Sequence, residues 1–167
     1  QGNIDVNKYR GRSVDPDEWN TVISNPNTLI IDTRNSFEIS IGKFINAVNL
    51  DMFSFREFPK KFYKSKSKKN SQVAMYCTGG IRCEKASAYL AMHGYKNVIQ
   101  LKGGILNYLK HVKDKNIMSL WKGECFVFDD RVTINKDLSR GKYLQCYGCK
   151  RPISKEETLS IYYKKGV

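Results

Sequence analysis

No stretch of this sequence approaches the roughly 18 uninterrupted apolar residues that a bilayer crossing needs. No charged-then-apolar leader opens it either, so the expectation is a cytoplasmic protein with no membrane partner. Histidine is almost missing, with two in 167 residues, and neither a His-x-Asp/Glu pattern nor a dinucleotide-type glycine fingerprint occurs. Haem, flavin and non-haem iron sites lose their usual ligands, and no cofactor is evident. Cysteine is present five times, an odd number, and not at the spacings of a secreted disulfide framework, which suits a reducing compartment. Acidic residues are also scarce: 16 against 29 basic ones, a net charge of +13. That balance points to a polyanionic partner, nucleic acid before membrane, against the blander reading of a lysine-rich solvated surface.

What is present describes a folded globule. The apolar fraction is 41% and the aromatic fraction 12%, enough for one domain with an appendage. Residues 1–12 are polar and read as a linker or arm. Asp15-Pro16-Asp17-Glu18-Trp19 carries an N-cap acid, a proline at the first helical position and acids in the first turn. It predicts a helix to about Ser24, which Asn25-Pro26-Asn27 ends. Leu29–Asp32 is a short unbroken apolar run, as expected of a parallel strand covered on both faces. A short helix at 36–40, a strand at 47–50 and a helix over 54–64 follow. Strands at 72–76 and 98–101 alternate with helices after Cys77 and over 105–112. The alternation through residues 15–113 predicts βαβ units and a mostly parallel sheet with helices on both faces. The pattern then changes. Glu124–Phe128 and Arg131–Ile134 flank Asp129-Asp130 as a hairpin, ahead of the Cys146-Tyr-Gly-Cys149 pair. The implied division is a domain over 13–115 and a C-terminal extension over 116–167.

The densest chemistry lies in Val73-Ala-Met-Tyr-Cys77-Thr-Gly-Gly-Ile-Arg82-Cys83. A buried strand runs into a cysteine, a glycine-rich turn, an arginine and the start of an amphipathic helix. Such a cysteine faces unpaired backbone N–H groups and the positive end of a helix dipole. Both favour thiolate over thiol, and a neighbouring guanidinium adds to the effect, so Cys77 is predicted to be nucleophilic near neutral pH.

Four strings, in order, resemble the signatures of the rhodanese domain: Asp32-Thr-Arg34, Ile41-Gly42 through Ala47-Val-Asn, Cys77-Thr-Gly-Gly-Ile-Arg82, and Leu101-Lys-Gly-Gly104. Longer strings are similar to one branch, the rhodanese-like tRNA uridine hydroxylases: Phe55-Arg-Glu-Phe-Pro59, Met75 through Lys85, and Trp121 through Val132. The resemblance implies a rhodanese-like open parallel sheet and a loop cysteine, Cys77, able to carry a persulfide. It also implies oxygen-dependent formation of 5-hydroxyuridine at the wobble position of tRNA, with molecular oxygen as co-substrate and a donor of electrons or sulfur still to be identified. By the same motif Thr78, Gly79, Gly80, Ile81 and Arg82 would supply backbone donors and a cation around the sulfur. Members of that branch carry a ferredoxin-like domain ahead of the rhodanese part and a second cysteine pair after the first, so the chain looks like a fragment.

Two chemistries compete at this turn. Four residues separate Cys77 from Arg82, one fewer than in related phosphatases, and the smaller ring suits a thiolate or persulfide better than a phosphate. Sulfur transfer from a sulfane donor through a Cys77 persulfide is therefore the alternative to uridine hydroxylation. Cys83 has two readings, a second thiol that resolves an oxidised Cys77 or a residue packed on the sheet. Cys125 reads as core, and His93 as a packing or capping residue. Cys146 and Cys149 have the spacing of half a zinc site, and no complete metal site is predicted. For RNA, Asp32, Arg34, Arg56, Lys60, Lys61 and Arg131 are the candidate substrate contacts leading to Cys77. The lysine-rich run 60–69 reads either as phosphate-contacting or as solvated surface.

Overall fold

The computed structural model describes residues 11–65 and 67–165. Most of the 1–12 arm, and Lys66 of the basic run, lie outside the described residues. In chain order the elements are β1 (Arg12–Val14), α1 (Pro16–Ser24), β2 (Thr28–Asp32), α2 (Ser36–Ile39), β3 (Gly42–Phe44) and β4 (Val48–Asn49). A single turn of 3-10 helix (Phe55–Glu57) then leads into α3 (Phe58–Lys64), β5 (Gln72–Tyr76), α4 (Ile81–Met92), β6 (Val98–Leu101) and α5 (Gly104–Lys115). The extension holds β7 (Trp121–Gly123), β8 (Cys125–Phe126), β9 (Thr133–Ile134), β10 (Leu144–Gln145) and β11 (Pro152–Ile153), followed by a 3-10 turn at Glu157–Leu159.

Five strands pair in the order β1-β6-β5-β2-β4, and every pairing among them is parallel. β5 lies in the middle, and its alternation sorts its side chains onto two faces. Ala74 and Tyr76 join Trp19, Val22, Ile105, Tyr108 and Leu109 beneath α1 and α5. Val73, Met75 and Cys77 join Phe58, Phe62, Cys83, Ala86 and Leu90 beneath α3 and α4. Both faces are thus covered, which is why β5 reads as a continuous apolar run. The α/β architecture expected from the alternation is present. α4 ends at His93, whose Nδ1 lies 2.7 Å from the Tyr89 carbonyl oxygen, so that residue caps the helix.

One helix over 54–64 was expected, but the segment is a 3-10 turn followed by α3. Pro59 sits in the first turn of α3, where its missing N–H costs nothing; further inside a helix it would break the ladder. A second departure ties the extension to the sheet domain. β3 pairs antiparallel with β7, Phe44 opposite Trp121. Phe44 is fully buried and sits edge-on to Trp19, Tyr76, Tyr108 and Trp121, with centroids 4.7–5.7 Å away. Aromatic cross-strand pairs of this kind contribute about 0.5–1.5 kcal/mol beyond their burial. Trp121, Cys125, Val127 and Ile134 share one apolar cluster with α1 and α5, so Cys125 is core as expected. The hairpin expected around Asp129-Asp130 is β8 paired with β9.

Candidate active site at the end of the central strand

The candidate site lies at the carboxyl end of β5, where open α/β sheets place ligands. Cys77 is the first residue past the strand, 2% exposed. The turn closes because Gly80 takes φ +99°, a left-handed conformation that glycine adopts without a Cβ penalty. That geometry brings the Gly80 N–H to 3.0 Å from Cys77 Sγ. The rest of the loop is held from the other side by α5, whose Ile105 and Leu106 amides donate to the Cys77 and Thr78 carbonyls at 3.0 and 3.2 Å. Gly104 permits this approach. A Cβ there would lie 2.4 Å from the Cys77 carbonyl oxygen.

These contacts make the sulfur an anion near neutral pH. The Cys77 pKa falls from 9.0 to about 6, chiefly through the neighbouring Cys83 thiol. Burial opposes the shift, while the Cys83 amide, the Arg82 charge and the Gly80 amide support it. Cys83 moves the other way: burial pushes its thiol well above the usual range, and the adjacent Cys77 charge adds to that. The pair is one thiolate beside one held proton. Cys83 Sγ also lies 3.6 Å from Thr33 Oγ1, and the Thr33 hydroxyl donates to the Tyr76 carbonyl at 3.0 Å.

Arg82 does not point at the sulfur as a bare cation. It forms a two-pronged pair with Glu38, Nη1 to Oε2 at 2.7 Å and Nη2 to Oε1 at 2.8 Å, with Nη2 also 3.5 Å from Thr78 Oγ1. Glu38 is fully buried and accepts the Asn35 amide as well, at 2.9 Å. The sequence reading missed Glu38. Its one local signal is Asn35-x-x-Glu38, the spacing of a capping box at the start of a helix.

The expected substrate contacts separate into three groups. Asp32 and Arg34 do lie beside the site, but both are 0% exposed, which corrects their assignment to substrate. Arg34 donates to Asp32 through Nε and Nη2 and to the Gly42 carbonyl at 2.7 Å. Burial disfavours its charge, yet Asp32 more than offsets that and raises its pKa. Its guanidinium also lies 5.2 Å from the Trp121 ring centroid, so Arg34 braces β2, β3 and β7 together. Lys61 donates to the Asp51 carbonyl at 2.5 Å, and Arg131 is paired with Asp129 at 2.7 Å. Arg56 and Lys60 are exposed on the segment whose Phe58 and Phe62 pack in the same cluster as Cys77. Gly79 and Ile81 of the turn are exposed, and Ile81 reaches 73%.

Cys146 is half-buried and Cys149 exposed. Among the described residues no group of three or more His, Cys, Asp and Glu could hold a metal, and no helix is long and apolar enough to cross a membrane.

A parallel sheet that delivers a thiolate into a glycine turn, with an arginine closing the loop, defines a sulfur-centred α/β domain. The sequence matches the family of the rhodanese-like domain over residues 15–111, and the chain belongs to that family. It is 51% identical over 158 residues to a curated tRNA uridine(34) hydroxylase of Pelagibacter ubique, an alignment covering 95% of this chain and 51% of that one. The chain thus spans about half the length of that relative. Two solved structures share the fold. An uncharacterized Saccharomyces cerevisiae protein has TM-score 0.53 and 23% identity, covering 64% of this chain and 98% of its own. The reduced Bacillus anthracis protein CoADR-RHD has TM-score 0.51 and 23% identity, covering 62% of this chain and 17% of its own.

Proposed function

We propose that this chain is the rhodanese-like part of a cytoplasmic tRNA-modifying oxidoreductase that hydroxylates the wobble uridine to 5-hydroxyuridine, with Cys77 as the catalytic residue. The observation that carries the reading is the 51% identity to a tRNA uridine(34) hydroxylase across nearly the whole chain. The geometry at Cys77 supports it. A thiolate of pKa about 6 is a competent nucleophile at neutral pH and can add to C6 of the pyrimidine, which makes C5 electron-rich. One atom of molecular oxygen then goes to C5 and the other leaves as water, a balance that needs two electrons and two protons from a donor outside this chain. Loss of the C5 proton then expels the Cys77 thiolate from C6 and restores the ring. Gly80 holds the sulfur anion through its amide, and Thr78, Gly79, Ile81 and Arg82 complete the turn. The wobble base is unpaired in a tRNA loop, so presenting it to Cys77 costs less than flipping a paired base.

In the proposed division of labour residues 13–115 carry the chemistry and 116–167 brace the site and widen its surface. Arg56, Lys60 and Lys61 are the proposed positive strip for the phosphate backbone, a reading that the net charge of +13 supports. Arg131, paired with Asp129, is the remaining residue of the proposed strip.

The same thiolate-holding turn supports a second reading, sulfur transfer through a Cys77 persulfide. Nucleoside mass spectrometry of tRNA separates the two, using a deletion strain complemented with wild type or Cys77→Ser. The hydroxylase reading expects 5-hydroxyuridine to vanish while thiolated nucleosides stay constant. Undiminished 5-hydroxyuridine with lost thiosulfate-to-cyanide transfer would replace it with sulfur transfer.

A further inference from the structure

Away from Cys77, a cavity of about 600 Å³ opens between α2, the β8–β9 hairpin and the Cys146–Cys149 turn. Three phenylalanines line it in a continuous edge-to-face row. Phe37 meets Phe126 at 5.4 Å, and Phe126 meets Phe128 at 5.0 Å. Phe128 is nonetheless 77% exposed. An aromatic ring braced on one side and open to solvent on the other leaves a stacking surface unused.

The same walls carry Arg140, Lys150 and Arg151, and the Arg151 guanidinium lies 5.3 Å from the Phe37 ring centroid. Two carboxylates, Asp129 and Asp130, line the cavity as well. Asp129 is engaged by Arg131, which leaves the wall with a positive balance. The backbone adds an independent sign. Val132 and Lys150, both lining the cavity, hold φ of +64° and +60°. A β-branched residue in the left-handed region is strained, and such positions cluster where a binding surface is being shaped.

Rings open on one face with cations beside them suit single-stranded nucleic acid, where bases stack and phosphates meet Arg or Lys. We propose that this cavity is a second RNA contact. In it an unpaired base of a single-stranded loop stacks on Phe128, and Arg140 and Lys150 take the flanking phosphates. The inference rests on the tRNA reading above and extends it, because Phe37 adjoins Glu38, the residue that holds Arg82. α2 thus carries both Phe37 in the cavity wall and Glu38, which pairs with Arg82 of the Cys77 turn.

The test is fluorescence anisotropy of the 167-residue chain with a labelled RNA hairpin bearing an anticodon-sized loop, beside a blunt duplex of equal length. Phe128→Ala is expected to weaken hairpin binding about tenfold and duplex binding hardly at all. Phe128→Tyr keeps the stack and should restore it, which separates stacking from misfolding. Arg140→Gln with Lys150→Gln is expected to lower the slope of log affinity against log salt by about two. If the wild type binds the hairpin and Phe128→Ala binds it equally, the cavity is no RNA site, though the tRNA reading survives. If the wild type binds no hairpin, both fall.

Discussion

The chain carries two neighbouring cysteine pairs, Cys77/Cys83 and Cys146/Cys149, and each places a sulfur against backbone amides. In the first pair Cys77 and Cys83 are 2% and 0% exposed. One thiol is pulled down to about 6 and the other pushed well up. In the second, Cys146 is lowered mainly by the Cys149 amide, with Lys150 adding a little, but it sits in a small two-stranded hairpin open to water. The hydrogen-bonding device is similar and the medium differs. Where water is excluded, an amide and a neighbouring thiol act on the sulfur without competition, and the thiolate becomes part of what the fold stabilises. In the hairpin, solvent does much of the same work whether the chain is folded or not. The first pair should therefore couple its charge to folding far more strongly than the second.

The strongest way to break that comparison is to titrate stability. The folded pKa of Cys77 lies below its unfolded value, so the thiolate's contribution is fully present above about 9 and lost as pH falls through about 6. Cys83 has the opposite sign: keeping it neutral helps the fold below its unfolded pKa, and that help is lost only at higher pH. The window between about 6 and 9 therefore belongs to Cys77, with an upper size on the order of 4 kcal/mol. Urea unfolding across the window should show stability rising with pH in the wild type. The slope should flatten in Cys77→Ala and remain in Cys146→Ser. A flat wild-type profile, or a slope that survives Cys77→Ala, would show that the buried sulfur is an ordinary thiol.

Next in size is the pair that closes the loop. Glu38→Gln preserves shape but replaces one acceptor oxygen by an NH2 group. Either orientation of the amide then sets a donor against Arg82 or the Asn35 N–H. Removing one partner of a buried ion pair costs about 3–5 kcal/mol. Because the Arg82 side chain keeps 20% exposure and can recover some hydration, a loss near 3 kcal/mol is expected. Thermal or urea unfolding would measure it. A loss below about 1 kcal/mol would mean that Arg82 is held by the turn itself rather than by Glu38.

Local patterns made the sheet and the turn legible. β5 runs over the span its apolar run implied, since a strand covered on both faces has no polar alternation to disguise it. The proline and acids before Trp19, and the two aspartates between β8 and β9, act within a few residues and so could be read directly. Glu38 could not, because its partner lies 44 residues away and pairing across such a gap leaves no periodic trace. The β3–β7 ladder is only three residues long on each side and was hidden for the same reason. Asp32 and Arg34 were placed at the right end of the right strand, and their role was misread. Sequence position fixes where a side chain starts, while the Gly42 carbonyl and Trp121 that turn Arg34 inward come from later in the chain.

The smallest effect bears on the thiol that distinguishes the first pair, and it asks whether Cys83 sets the charge on Cys77 or only fills space on the sheet. The Thr33 hydroxyl proton is committed to the Tyr76 carbonyl. The Cys83 S–H is then free to donate to the Thr33 oxygen or to the Cys77 sulfur. Cys83→Ala removes that donor and the largest influence lowering the Cys77 pKa, at a cavity cost of about 1 kcal/mol. Cys83→Ser keeps a donor of nearly the same size. If Cys83 acts on the anion, thiolate absorbance titration should move the Cys77 midpoint upward in the alanine variant and leave it low in the serine variant. If Cys83 only fills space on the sheet, both variants should keep the wild-type midpoint and differ in stability alone, with serine the worse because its hydroxyl enters an apolar cluster.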